Sequence, residues 1–138
     1  MFLDRTQVAL GSATYATCAL SIVATVVSRP APDRVILDCG SKTLTSDGAR
    51  GFTLMPGFGG VFVDLQAADP HPGVTIERVS EEHAVCRVPD DLVLRIGDRV
   101  RVLPNHACTA TNLSDRLWLE DAGGTLTEVP VAARGRIW

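Results

Sequence analysis

Residues 97–103, with the sequence GDRVRVL, contain the pattern that decides the fold class. A turn dipeptide, Gly97-Asp98, is followed by charged side chains that alternate with aliphatic ones. Because successive side chains of a β-strand point to opposite faces, this alternation is typical of a strand with one buried and one solvated face. The stretch therefore predicts a strand over residues 99–103 that begins at a turn.

Short runs rich in Val, Ile and Thr recur on both sides of this strand, separated by Gly, Pro, Asp and Asn. That composition favours strands and turns. No window of a dozen residues keeps the apolar spacing of an amphipathic helix, so we expect few helices, all short. Strands are predicted over residues 19–28, 34–37, 60–65, 74–80, 84–88, 99–103, 117–120 and 125–131. Such a series in one domain predicts an all-β fold, a small barrel or sandwich.

Length and composition restrict the class of protein further. The 138 residues suit a single domain, and 46% hydrophobic residues with a net charge of −3 exclude an extended disordered chain. The basic residues are scattered, which gives no reason to expect nucleic acid. No apolar run approaches the roughly 18 residues of a membrane helix. Four widely spaced cysteines without a secretion signal predict free thiols and a cytoplasmic location.

A polar cluster follows the strand at 99–103 and contains His106 and Cys108, separated by one residue. In extended backbone such a pair faces the same way, so both side chains could bind one ion. Imidazole nitrogen with thiolate sulfur favours zinc over magnesium or calcium. Two protein ligands leave at least two positions open, as in a metal site that handles substrate. A buried thiol beside a hydrogen-bonded loop histidine is the alternative interpretation.

A second polar cluster spans residues 38–47. Its Lys42 would need a phosphate cradle and a closed pocket to act as a Schiff-base lysine, and no Gly-rich turn leads into a helix here. We therefore expect Lys42 to be a polar rim residue. Asp38 and Asp47 either orient a substrate amine or end a strand.

A third cluster, at residues 80–83, places Glu82 beside His83. These two side chains could supply a base and a third ligand to an autonomous zinc hydrolase. A polar turn between two predicted strands is the interpretation that we favour.

Several blocks, taken in their order along the chain, resemble a known domain. They are DRTQ at 4–7, ATVVS at 24–28, LDCGSKT at 37–43, SEEH at 80–83, IGD at 96–98 and VLPNHAC at 102–108. Together they are similar to the C-terminal β domain of the D-serine dehydratase and D-threonine aldolase family, pyridoxal-phosphate enzymes built like alanine racemase. The resemblance covers nearly the whole chain, and Pro-Asn-His-x-Cys at 104–108 is its most specific part.

The resemblance implies an enzyme of two domains with separate roles. An N-terminal (β/α)₈ barrel carries the cofactor on a lysine, and a C-terminal β barrel closes the active site in a homodimer. His106 and Cys108 match the family's metal ligands. The metal is zinc in the dehydratases, whereas many aldolases resemble a His-x-Asp version with manganese or another divalent ion, so Cys108 favours zinc and dehydratase chemistry. Asp38, Lys42, Asp47 and Asn105 are expected near the substrate.

These 138 residues hold no such barrel and no cofactor-binding lysine of their own. We therefore expect a truncated gene product, an excised domain or half of a split enzyme, which needs the barrel as its partner and does not catalyse alone. With that partner it would act on a D-amino acid. The alternative is a non-catalytic β-barrel module for dimerisation or ligand binding.

Overall fold

A computed structural model of the chain describes residues 2–48 and 55–136. Its strands are β1 (Ile22–Ala31), β2 (Arg34–Leu37), β3 (Gly59–Phe62), β4 (Thr75–Val79), β5 (Ala84–Arg87), β6 (Arg99–Pro104), β7 (Arg116–Glu120) and β8 (Leu126–Pro130). Its helices are α1 (Arg5–Ala9), a 3₁₀ turn (Tyr15–Thr17), α2 (Ser41–Leu44) and α3 (Ala107–Leu113). The predicted all-β class with few short helices is confirmed, and every predicted strand overlaps an observed one.

Six strands form one antiparallel sheet in the order β3-β6-β1-β2-β5-β4. Its two edge strands lie close to each other, and the Phe58 N–H next to β3 donates to the Ile76 carbonyl of β4 at 3.2 Å. The sheet is therefore curled into a nearly closed barrel. Strands β7 and β8 form a separate antiparallel hairpin. Within the described ranges, no helix is long and apolar enough to cross a membrane.

The alternation in β6 is as the sequence predicts. Val100 and Val102 are fully buried in the barrel core. Arg101 points to the other side, where its guanidinium stacks over the Phe62 ring at 3.8 Å and donates to two backbone carbonyls of the loop after β3. The aliphatic residues of this strand thus fill the barrel, and its middle arginine fastens a loop on the outside.

Strand β1 differs from the prediction at both ends. It begins three residues later than expected and continues through Pro30 to Ala31. Proline cannot donate to a ladder, so it is tolerated in strands mainly where the pairing is irregular. The register of β1 against β2 shifts between Ser28 and Ala31, which accommodates the proline.

Candidate metal site

His106 and Cys108 lie at the N-terminal end of α3. Strand β6 ends at Pro104, His106 is the extended residue before the helix, and Cys108 is in the first turn. The expectation that this segment is extended through Cys108 was therefore wrong. The chain turns into a helix here because the Asp4 carboxylate accepts the Ala107 N–H at 2.9 Å, and because the inner face of α3 is buried against Leu20.

Asp4 joins two helix starts that are far apart in sequence. Its Oδ1 accepts the Gln7 N–H at 3.1 Å, which caps α1, and its Oδ2 holds the first N–H of α3. The side chain is buried. A capping carboxylate at the start of α1 could have been anticipated from the sequence, but its second contact, with Ala107, could not.

Asn105 precedes His106 and is buried, with 1% of its surface exposed. Its Nδ2 donates to the backbone carbonyls of Asp47 at 3.0 Å and Gly57 at 2.9 Å. Its own carbonyl accepts the Thr6 hydroxyl at 2.6 Å. The side chain expected near the substrate therefore holds the segments around residues 47 and 57 against β6.

The imidazole of His106 is paired with Asp47, which the sequence analysis had singled out separately. Nδ1 of His106 lies 2.8 Å from Oδ2 of Asp47, and the two side chains are 31% and 20% exposed. The Thr109 hydroxyl donates to the same Oδ2 at 3.3 Å. Asp47 thus approaches the N-terminal turn of α3 from the segment after α2, 59 residues earlier in the chain.

The donor groups at this helix end fit a zinc ion in kind. The Cys108 thiol is exposed, and the His106 imidazole uses Nδ1 for Asp47, which leaves Nε2 as its other nitrogen. Imidazole and thiolate are the donors that zinc prefers. Within residues 2–48 and 55–136, no three His, Cys, Asp or Glu side chains are placed to hold a metal among themselves. The candidate donors at this helix end are therefore the imidazole of His106 and the thiol of Cys108.

Lys42 lies exposed at the start of α2, beside the turn between β4 and β5. Its Nζ is 2.6 Å from a carboxylate oxygen of Glu82 and 3.3 Å from one of Glu81. Its hydrogen bond to Glu82, and then that to Glu81, raise the pKa of the amine. Residues 80–83 form this polar turn, closed by the Ser80 N–H on the His83 carbonyl at 2.8 Å.

Asp38 has a structural contact at the end of β2. Its exposed carboxylate accepts the Thr25 N–H at 2.7 Å, and its own N–H donates to the Thr25 carbonyl at 3.1 Å. These bonds extend the pairing of β1 with β2 beyond the strand. The structure therefore brings Asp47 and Asn105 to His106, and places Lys42 and Asp38 in contacts of their own.

The four cysteines are free, as the sequence predicts. Cys39 and Cys86 lie in the barrel core, where burial raises the pKa of each thiol to about 12. Cys18 is also buried, and burial raises its pKa as well. Cys108 is exposed, so it is the thiol best placed to meet a metal or a reagent from solvent.

Comparison with known proteins gives matches along nearly the whole chain. The family described as "Putative serine dehydratase domain" matches residues 19–119. An uncharacterized protein of Mycobacterium tuberculosis strain H37Rv is 39% identical over 141 positions, which cover 99% of this chain and 98% of that protein. A D-threonine aldolase of Arthrobacter sp. is 34% identical over 117 positions, which cover 84% of this chain and 27% of the aldolase.

Among solved structures, D-threo-3-hydroxyaspartate dehydratase from Delftia sp. HT23 superposes with a TM-score of 0.83 at 26% identity, over 99% of this chain and 37% of that enzyme. Two variants of a D-threo-3-hydroxyaspartate dehydratase match at the same TM-score and 25% identity. One has a histidine replaced by alanine. The other, in its metal-free form, has a cysteine two positions further on replaced by alanine.

The chain thus spans about a third of the dehydratase and about a quarter of the aldolase, but nearly all of the mycobacterial relative. The family match covers most of the described barrel, from before β1 to β7. This chain belongs to the D-serine dehydratase-like domain family, the C-terminal domain of pyridoxal-phosphate enzymes of the alanine-racemase type.

Proposed function

We propose that this chain is the metal-binding domain of a pyridoxal-phosphate-dependent lyase that acts on D-β-hydroxy amino acids. It contributes His106 and Cys108 as two zinc ligands and forms one wall of the active site. A cofactor-binding barrel, which these 138 residues do not contain, completes the enzyme.

The observation that carries the proposal is that an exposed thiol and an imidazole anchored by a carboxylate lie two residues apart at one helix end. The related dehydratase supports it, because the histidine and the cysteine replaced in its variants are spaced as His106 and Cys108 are, and the structure of the cysteine variant is described as its metal-free form. The pairing of histidine with cysteine also favours dehydration over aldol cleavage as the native reaction.

The residues of this chain would bind and orient rather than react. His106 and Cys108 would hold the ion at the surface of the domain, and the buried Asn105 and Asp4 keep their backbone in place. When bound, pyridoxal phosphate supplies an electron sink and a divalent ion supplies a Lewis acid for the β-hydroxyl oxygen. Two protein ligands leave open positions at which such a substrate oxygen could bind.

Zinc stoichiometry tests the proposal directly. The purified chain is stripped with a chelator, loaded with zinc, desalted and analysed by mass spectrometry for bound metal. We expect about one zinc per chain in the wild type and a large loss in His106→Ala and in Cys108→Ala. His83→Ala, which removes an exposed histidine from the turn between β4 and β5, is the matched control and should bind as the wild type does. Equal zinc in all four proteins, or negligible zinc in all, would contradict the proposal.

The β7–β8 hairpin is the surface that we propose for the partner barrel. It exposes Trp118 and Leu126, each by 58%, and Leu119 by 46%. An open groove of about 990 Å³ separates it from the start of β1. Apolar patches of this kind favour association. The occupant is the remainder of the enzyme, since the matching domain is only 37% of the related dehydratase.

The hairpin proposal predicts self-association when the partner is absent. Light scattering over a wide concentration range should show oligomers, and Trp118→Lys should reduce them. Val93→Lys, at an exposed apolar side chain outside the hairpin, should not. A monomer at every concentration would count against this surface.

The four free cysteines suit the reducing cytoplasm, which we propose as the location.

A further inference from the structure

The contact between His106 and Asp47 decides which imidazole nitrogen is available. Nδ1 of His106 and Oδ2 of Asp47 are 2.8 Å apart, a hydrogen-bond distance. An ionised carboxylate can only accept, so Nδ1 must carry the proton in this contact. In a neutral imidazole the lone pair then lies on Nε2. The tautomer of His106 is thus set by a residue from a different part of the chain.

We propose that Asp47 is the positioning residue of the metal site: it holds His106 in the Nδ1–H tautomer and fixes the ring so that Nε2 is the ligand atom. The inference rests on the proposed function in one respect, that His106 binds the metal. Histidine ligands in metalloproteins commonly donate their second nitrogen to a carboxylate or carbonyl, which orients the ring and increases its basicity. Asp47 provides that acceptor here.

An unusual backbone conformation two residues earlier positions Asp47 next to His106. Thr45, at the end of α2, has φ 68° and ψ 171°, a region that β-branched residues rarely adopt. Its hydroxyl accepts the Asp47 N–H at 3.1 Å, and its own N–H donates to the Ser41 carbonyl at 3.0 Å. The backbone at Thr45 therefore adopts an energetically unfavourable turn, and this turn directs the residues that follow it toward α3.

Residues near His106 in the chain also form hydrogen bonds with Asp47. The Asn105 amide donates to its backbone carbonyl at 3.0 Å, and the Thr109 hydroxyl donates to Oδ2 at 3.3 Å. Both partners flank His106 in sequence. The carboxylate is therefore built into the same helix end as the proposed ligands, and a role limited to closing a loop would not require its contact with the imidazole.

Two measurements on Asp47→Ala test the inference. The first is the tautomer of His106 in metal-free protein, from imidazole ¹⁵N shifts at a pH where the ring is neutral. We expect Nδ1–H in the wild type and a shift toward Nε2–H in the variant. The second is the zinc dissociation constant, which should rise by about 10–100-fold. Asp69→Ala, at an exposed carboxylate in the loop after β3, should change neither.

The outcomes separate this inference from the proposed function. If the wild type binds zinc and Asp47→Ala leaves the tautomer and the affinity unchanged, Asp47 is not a positioning residue although the metal site stands. If the wild type binds no zinc, the proposed function fails and this inference fails with it. Should Asp47→Ala not fold, Asp47→Asn keeps the size of the side chain but is a weaker acceptor. We then expect binding about 10-fold weaker, and wild-type affinity in that variant would overturn the inference.

Discussion

Replacing Asp4 by alanine should destabilise the whole domain, because one buried carboxylate caps two helices. The first loss is the cap of α1, where Oδ1 accepts the Gln7 N–H at 3.1 Å. Losing an N-cap side chain costs about 1 kcal/mol. The second loss is the acceptor of the Ala107 N–H, held at 2.9 Å, at a residue only 1% exposed. A buried donor left without a partner costs about 1–3 kcal/mol.

The two losses add to about 2–4 kcal/mol in the free energy of unfolding. For a domain of this size, 1 kcal/mol shifts Tm by roughly 4 °C, so Asp4→Ala should unfold about 8–16 °C earlier. The assay is thermal and urea unfolding followed by circular dichroism. Asp4→Asn keeps one acceptor oxygen of the two, and its loss should be about half as large.

Asp91→Ala, at an exposed residue in the turn after β5, serves as the control and should unfold within about 0.5 kcal/mol of the wild type, as surface substitutions generally do. The reasoning is refuted if Asp4→Ala unfolds together with this control. A loss of only about 1 kcal/mol would keep the α1 cap but remove the claim that Asp4 sets the start of α3.

Three further predictions concern single side chains. Thiol reagents should modify the exposed Cys108 in the folded protein. The core thiols of Cys39 and Cys86, each with a pKa of about 12, should react only when the protein unfolds. Peptide mass spectrometry that finds these two core thiols labelled first would contradict their burial. The backbone N–H groups of Thr125 and Gly123 hold the pKa of the Asp121 carboxyl below its usual value. The turn is therefore stabilised at neutral pH and loses that contribution as the pH falls from about 4 through the lower folded value, which amide NMR shifts of residues 121–125 would show. Added pyridoxal phosphate should form no imine with Lys42, because its glutamate partners keep the amine protonated; imine absorbance that disappears in Lys42→Arg would be the opposite result.

The strands of the sheet could be predicted because the sequence patterns that indicate them are local. The alternation in β6 and the aliphatic runs of the other strands act within a few residues, and turn residues mark their ends. Strand β1 exceeded the prediction only where a register shift makes room for Pro30. In β6 the alternating burial of residues 99–102 is the one that the sequence pattern implies, whereas the apolar residues of the separate β7–β8 hairpin remain largely exposed.

The sequence singles out the candidate ligand residues, but it does not reveal the local geometry in which they lie. His106 and Cys108 stand out as a pair in the sequence, yet the start of α3, where both lie, depends on Asp4, which lies 103 residues from Ala107 in the chain. The contact of Asp47 with His106 likewise depends on the backbone of Thr45, a conformation that its residue type disfavours. Long-range capping and strained turns leave no periodic signal in a sequence.

Zinc K-edge X-ray absorption on the loaded protein tests the central claim most directly, because it reports the ligand atoms themselves. If His106 and Cys108 bind the ion, the spectrum should contain one sulfur at about 2.3 Å and one imidazole nitrogen at about 2.0–2.1 Å, with oxygen ligands completing the shell. The sulfur should disappear in Cys108→Ala and the imidazole signal in His106→Ala. A shell of oxygen and nitrogen alone in the wild type, unchanged by either substitution, would contradict the account.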